Sequence, residues 1–335
     1  MRTDRIENYR KIEELLKSKL LIYITSDRRN LETKIASDIL IYFTNHLDII
    51  GGVPKISLYL YTRGGETLSA WSLVNLIRNF CKDFEVIIPF HCHSAGTLIC
   101  LGANRIIMTK QATLGPIDPS INGIMNPQVN INNKNVKVPV SVEFVNGYLE
   151  MVTKELKIKN NHALSTIITN LSNQIHPLSL GEVQRSKTQI QMLARKLLKY
   201  QKINRKKQNE IIKFLCKESG SHDYTIYRRE AKEDLGLNIE KPDDNLYKII
   251  KEIFVDIQSE MELNNPFDPK ILTAQDNTYS YSFRRALIES INGGSDVFIS
   301  EGTLNKQIIN QPGPVAMQKT IVQDSRKYEG WRHES

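Results

Sequence analysis

The sequence predicts an α/β fold with a largely parallel sheet. Short apolar runs of strand length at 20–25, 56–62, 86–88 and 106–108 alternate with stretches of helical periodicity, the order of βα units that pair in parallel. A glycine turn, Arg63-Gly64-Gly65, closes the second run. With 335 residues, 40% of them hydrophobic, the chain can bury the core of one large domain or two moderate ones.

Residues 1–18 read as an amphipathic lead-in helix, 20–25 as the first strand and 32–49 as a helix. Residues 56–62 alternate as a strand does and run through the glycine pair into a helix built on Leu68, Trp71, Val74, Ile77 and Phe80. Val86 to Ile88 forms a buried strand, and Thr97 to Leu101 is too crowded with apolar residues for a surface helix. The stretch 120–146, with Gly123, Pro127 and Pro139, reads as an insertion or flap, and 178–217 as a helical arm. Beyond Pro242 come a helix over 243–262 and a hairpin, Arg285 to Ser290 with Asp296 to Ser300, around Asn292-Gly293-Gly294. A polar tail, 301–335, can dock through Trp331. The expected division is 1–240, arm included, and a C-terminal helix-plus-hairpin extension at 241–335.

Ser94 stands at the start of the buried helix, between apolar runs. A serine N-cap explains this position without chemistry, since Ser accepts an orphan backbone N–H there. An exposed nucleophile explains it as well. The Gly64-Gly65 turn can aim amides at a carbonyl oxygen that becomes negative during acyl transfer, where one lost donor costs about 2.7–4 kcal/mol, or it is an ordinary glycine turn.

Three blocks in order carry a resemblance: Tyr61-Thr-Arg-Gly-Gly-Glu66; His93-Ser-Ala-Gly-Thr97 with Leu114-Gly-Pro-Ile-Asp118-Pro119; and His222-Asp223 followed by Glu230-Ala231 and Gly236-Leu237. Over roughly 17–240 the chain resembles the Clp/crotonase superfamily of serine peptidases, most closely the serine dehydrogenase proteinase family, which is signal peptide peptidase-like. The resemblance implies a crotonase/Clp-like α/β fold, Ser94 as nucleophile, the amides of Gly65 and Ala95 as oxyanion hole, and Asp223 as triad acid. It implies a serine endopeptidase acting on a peptide or protein, with no cofactor, assembled as a homo-oligomer and served by an adaptor or unfoldase.

The general base does not carry over. Clp proteases place a histidine after the nucleophile helix, where 114–119 has none, and signal peptide peptidases use a lysine on a later helix, near 176–187 here. His176 precedes Pro177, which restricts it to extended conformations. His222 adjoins Asp223, but neighbours in an extended segment face opposite ways. Lys187 needs a lowered pKa, which Arg185 can promote. His93 adjoins Ser94 and points away from it in an extended chain. A chain lacking any base is an inactive oligomeric interaction module. Arg63 stands where relatives usually carry proline; it suits a substrate carboxylate or a solvated loop. Asp118 before Pro119 suits an active-site turn or simply a good turn former.

The formal charge of +8 is concentrated: Val183 to Asn209 contains nine bases and no acid. Ile190, Leu193, Ala194 and Leu197 give this segment a core face with cations opposite. A solvated helix accounts for it; a nucleic-acid surface is the alternative, although no aromatic stacking pattern or base-reading motif accompanies it. No apolar stretch follows Met1 and the tract around Ser94 is broken by Pro89, His91, His93 and Arg105, so a secretory signal and a membrane span are not expected, and the location expected is cytoplasmic. Cys81, Cys92, Cys100 and Cys216 lack metal-ligand spacing and sit mostly among apolar residues, as reduced thiols do.

Overall fold

The computed structural model describes residues 2–117, 120–121, 125–131, 134–138, 140–311 and 317–334. It divides into two compact units, unit 1 comprising 1–114 with 226–335 and unit 2 comprising 115–225. The boundary expected at 240/241 falls inside unit 1.

Unit 1 opens with α1 (Arg2–Leu16), β1 (Lys19–Thr25), α2 (Ile39–Ile50), β2 (Val53–Tyr61), α3 (Thr67–Phe80), β3 (Cys81–Ile88), β4 (His91–Cys92), α4 (Ala95–Leu101), β5 (Arg105–Met108) and β6 (Thr113–Leu114). Unit 2 contributes β7 (Ser120–Ile121), β8 (Gln128–Ile131), β9 (Lys134–Lys137), β10 (Val140–Ser141), α5 (Val142–Glu150), α6 (Asn161–Gln174), α7 (Pro177–Leu198) and α8 (Arg205–Lys213). The chain returns to unit 1 with β11 (Ile226–Tyr227), α9 (Arg228–Glu233), β12 (Ile239–Glu240), α10 (Asp244–Glu260), α11 (Pro269–Leu272), β13 (Thr278–Ser290), β14 (Gly294–Gln311) and β15 (Met317–Glu334).

The eight-stranded sheet of unit 1 runs β12-β5-β3-β2-β1-β13-β14-β15. Its first five strands are parallel, with Tyr23 opposite Leu60 and Leu58 opposite Val86. Leu20 to Ile24, Leu58 to Tyr61 and Val86 to Ile88 are unbroken buried runs, as expected of strands covered on both faces. One face is closed by α1 and α10, whose Tyr9, Ile12, Ile250, Ile253 and Ile257 pack on Ile22, Ile24, Tyr59 and Ile87. The expected hairpin is present, with Ser290 opposite Gly294, but it is longer than expected and is no appendage: β13 pairs antiparallel with β1, Ile24 opposite Leu287. The polar tail is the eighth strand rather than a loose segment, and Trp331 meets the body, donating from Nε1 to Asp38 at 2.8 Å with its ring 4.9 Å from Tyr42.

In unit 2, Val140, Val142, Val145 and Val183 form a small core. Three of its helices carry side-chain caps, Asn160 for α6, His176 for α7 and Asn204 for α8, so the expected arm is two capped helices, α7 and α8. The stretch expected as a flap supplies β7 to β10 and the start of α5. Among the described residues, no helix is long and apolar enough to cross a membrane.

Candidate active site

Ser94 occupies the link between β4 and α4 with φ 52° and ψ −116°. A residue bearing a Cβ pays roughly 1–3 kcal/mol to hold so sparsely populated a conformation. Its hydroxyl makes no capping hydrogen bond to α4, which removes the structural explanation for a serine at this place. The turn is fixed from three sides. Thr62 pairs with the strand ahead of it, the Thr62 amide donating to His91 O at 3.2 Å and the His93 amide to Thr62 O at 3.0 Å. Behind it, α4 is wholly buried, so its first turn cannot drift. On the third side lies Gly64.

Gly64 has φ 109°, and a Cβ there would stand 2.7 Å from Ser94 Cβ and 2.9 Å from His93 O. Only hydrogen at this position lets the two turns touch. Gly65, with φ 153°, is pressed on the opposite side: a Cβ would lie 2.2 Å from Ile35 O. The Gly64 carbonyl accepts from Ile35 N at 2.9 Å and the Gly64 amide donates to Thr62 Oγ1 at 2.9 Å. Among the described residues, the amides of Gly65 and Ala95 donate to no protein acceptor. Strand β2, its glycine turn and the serine turn therefore form one rigid, backbone-lined junction.

The groups around this junction are partly unforeseen. Buried His91 stands with Nε2 3.1 Å from Asp27 Oδ2, off the line of a regular hydrogen bond. Tyr61 and Arg63 also face this carboxylate, with Arg63 Nε 3.5 Å away. Burial pushes the Asp27 carboxyl up, but the neighbouring His91, Tyr61 and Arg63 outweigh it and hold it below the usual range. Arg63 is thus tethered and still mostly exposed. His93 Nε2 lies 2.9 Å from Thr113 Oγ1, and its ring centroid is 5.2 Å from that of His91. All four cysteines are buried and outside any disulfide, with Cys92 Sγ 3.6 Å from Cys100 Sγ.

Ser94, Gly65 and Ala95 belong to unit 1, whereas His176, Lys187, His222 and Asp223 belong to unit 2. His176 is exposed and caps α7, its Nδ1 accepting from Leu178 N at 3.2 Å. His222 and Asp223 are exposed in a short turn, Lys187 is half-buried on α7, and Asp118 lies outside the described residues. No cluster of His, Cys, Asp and Glu able to hold a metal ion occurs among the described residues.

Residues 49–143 match the model of the ClpP-like SDH-type serine proteinase family. This segment, which contains the glycine turn and Ser94, is thus similar to the Clp-like serine peptidases that the motifs resemble. The chain is 29% identical over 197 residues to the uncharacterized protein MJ0137 of Methanocaldococcus jannaschii, covering 58% of this chain and 57% of that protein. It is 39% identical over 66 residues to the uncharacterized protein MJ1495 of the same organism, covering 20% of this chain and 23% of that one. A mutant of the 1510-N membrane-bound stomatin-specific protease aligns at TM-score 0.37 and 14% identity, covering 73% of this chain and 86% of that one, a likeness too low to bear on the site. The chain thus spans little more than half the length of the first curated relative it matches.

Proposed function

We propose that the protein is a serine peptidase that hydrolyses peptide bonds through an acyl-enzyme on Ser94. The observation that carries this reading is the Ser94 turn itself: a strained strand-to-helix link, with a hydroxyl not used as a cap, pressed against a glycine turn whose next amide is unengaged. Ser94 Oγ attacks the carbonyl, and the Gly65 and Ala95 amides receive the developing negative charge. Asp223 with His222, or His176, is the acid–base set that the resemblance supports, and Lys187 is its lysine counterpart. Assembly as a homo-oligomer and service by an adaptor or unfoldase belong to the same reading.

Labelling with a fluorophosphonate probe tests it. Covalent modification of the wild-type chain, mapped to Ser94 and absent in Ser94→Ala, is the expected result; labelling that survives in Ser94→Ala excludes Ser94, and none in the wild type favours the inactive interaction module. A second use of unit 2 has its own support. Arg185, Arg195, Lys196, Lys199, Lys202, Arg205 and Lys206 are exposed along α7 and the start of α8. Nucleic-acid binding by this stripe would weaken steeply with added salt.

A further inference from the structure

Arg63 belongs to the serine junction but takes no part in the hydrolytic steps above. Its backbone is locked on both sides. Thr62, wholly buried, accepts from the Gly64 amide with Oγ1 at 2.9 Å, so that its hydroxyl spans Arg63 in the manner of an ST turn. Thr25 Oγ1 donates to that same hydroxyl oxygen at 2.7 Å, and Ile35 N donates to Gly64 O at 2.9 Å. Gly64 is in turn the residue that presses on the nucleophile, since a Cβ there would stand 2.7 Å from Ser94 Cβ. Consecutive Cα atoms are about 3.8 Å apart. Arg63 is therefore one such step from the residue that touches the Ser94 turn and two from Gly65, whose amide is unengaged.

The side chain is placed differently from the backbone: 60% of it is exposed. Its contact with Asp27 is made through Nε at 3.5 Å, and among the described residues no acceptor takes a hydrogen bond from the guanidinium. Asp27 itself is 13% exposed and shared with His91, so it steers the guanidinium from the protein side. Glu66, the next acid along the chain, is turned to its own helix, where it accepts from Ser69 Oγ at 2.6 Å. An arginine on an ordinary solvated loop has neither a locked backbone nor a tether. Here both are present, and a side chain held in this way loses little freedom when it takes up a second anion. The planar fork of a guanidinium matches a carboxylate, with two parallel N–H donors.

We propose that Arg63 binds a carboxylate of the substrate close to the scissile bond, so that the site acts on peptides that are negatively charged there. The proposal rests on Ser94 as nucleophile. The carboxylate comes from an Asp or Glu side chain or from the free end of the peptide. Residues of an extended substrate are spaced by the same 3.8 Å or so as those of the turn, and an arginine side chain is long enough to reach a residue beside the carbonyl that Gly65 receives. The Gly65 amide then holds the carbonyl oxygen while Arg63 holds the carboxylate, and two anchors fix the register of the peptide against Ser94. A neutral group leaves Arg63 in water and gains nothing. A basic group is repelled by it, which sharpens the selection.

A synthetic library of randomised peptides, made once with free C-termini and once with C-terminal amides, tests this when cleavage sites are read by mass spectrometry. Asp and Glu enriched at one fixed position in both libraries identify the side-chain source. Cuts at a fixed distance from the end, found only with free C-termini, identify the terminal carboxylate. On a matched pair of peptides, one charged and one amidated at that place, the wild type should prefer the charged one by about 10–100-fold in kcat/KM. Arg63→Gln should lose this preference and Arg63→Glu should exchange it for Lys or Arg; the ratio within each variant is the readout, whatever its absolute rate. Wild-type cleavage sites without any enrichment of negative charge would overturn the proposal, as would an acidic preference that survives in Arg63→Glu. If one variant does not fold, the other and the wild-type libraries decide. Cleavage that requires Ser94 but ignores charge sinks the role of Arg63 alone. A wild type that neither cleaves nor takes the fluorophosphonate, or cleavage that persists in Ser94→Ala, marks failure of the nucleophile and takes the proposal down with it.

Discussion

At Ser94 the backbone, rather than the hydroxyl, is the informative part. Alanine keeps the Cβ and so keeps the strain of φ 52°, whereas glycine relieves it. Ser94→Gly should therefore be more stable than Ser94→Ala by about 1–3 kcal/mol, and neither should be labelled by the probe. Urea denaturation of the two variants measures this; equal midpoints would show that the turn carries no strain. Such a trade of stability for chemistry is what a site, and not a cap, is expected to display. The position of Ser94 was legible because apolar runs bracket it. Its freedom from capping was not, since Ser is equally suited to both roles and only dihedral angles distinguish them. The contact between His91 and Asp27 was hidden for another reason. They lie 64 residues apart in sequence, and only the parallel order of β1, β2 and β3 brings them to one edge. The clue available was the His-x-His alternation of 91–93 together with an acid directly after the first strand.

At the scale of elements, the two glycines of the turn have separate duties. A methyl group at Gly64 meets the Ser94 and His93 backbone segment at 2.7–2.9 Å, while one at Gly65 meets Ile35 at 2.2–2.5 Å. Gly64→Ala should thus displace the serine turn and silence labelling with a moderate loss of stability. Gly65→Val should break the bridge between Ile35 and the turn and compromise folding itself. Circular dichroism and labelling on both variants separate the two effects; a fully labelled, fully folded Gly64→Ala would refute the close approach. The βα units near the site were legible because apolar runs and amphipathic periods are local signals. The C-terminal hairpin was legible only as a hairpin. Its pairing with β1 was hidden because antiparallel addition to a parallel sheet depends on which edge is left open, and the polar residues of β15 resemble a tail when read without their partner strand.

At the scale of the molecule, unit 1 is made from both ends of the chain, and buried polar knots tie the ends together. Arg5, 2% exposed on α1, pairs with Glu289 of β13 at 2.8 Å and with Asp256 and Glu260 of α10, while Tyr9 also donates to Glu289. Burial opposes the Arg5 charge, but the surrounding carboxylates more than restore it. Arg5→Met should cost about 3–5 kcal/mol, because it leaves Glu289 buried without its cation. Adding Glu289→Leu should recover part of that loss, and no recovery would mean that Arg5 acts through packing alone.

A second knot makes the stability of unit 1 depend on pH. His46 of α2 is 1% exposed, with Nδ1 2.7 Å from Ser290 Oγ at the end of β13 and Nε2 3.1 Å from Asp296 Oδ2 on β14, whose other oxygen meets His333 of β15 at 3.0 Å. Burial pushes the His46 imidazole below its ordinary pKa, and the pull of Asp296 offsets this only in part. The folded protein therefore resists a proton that the unfolded chain accepts. Above about pH 6.5 His46 is neutral in both states and contributes no slope; below it the unfolded chain binds more protons, so stability must fall as the pH drops, until the folded pKa is reached. Asp27 acts lower on the scale: its depressed pKa supplies stability above about pH 3.9, lost as the pH falls through the folded value. The two windows are separable. In His46→Gln, urea denaturation across the pH series should show less slope just below about pH 6.5 than the wild type, with the more acidic loss retained. An unchanged slope in that variant would show that His46 takes up its proton as readily in the folded protein as in the unfolded chain.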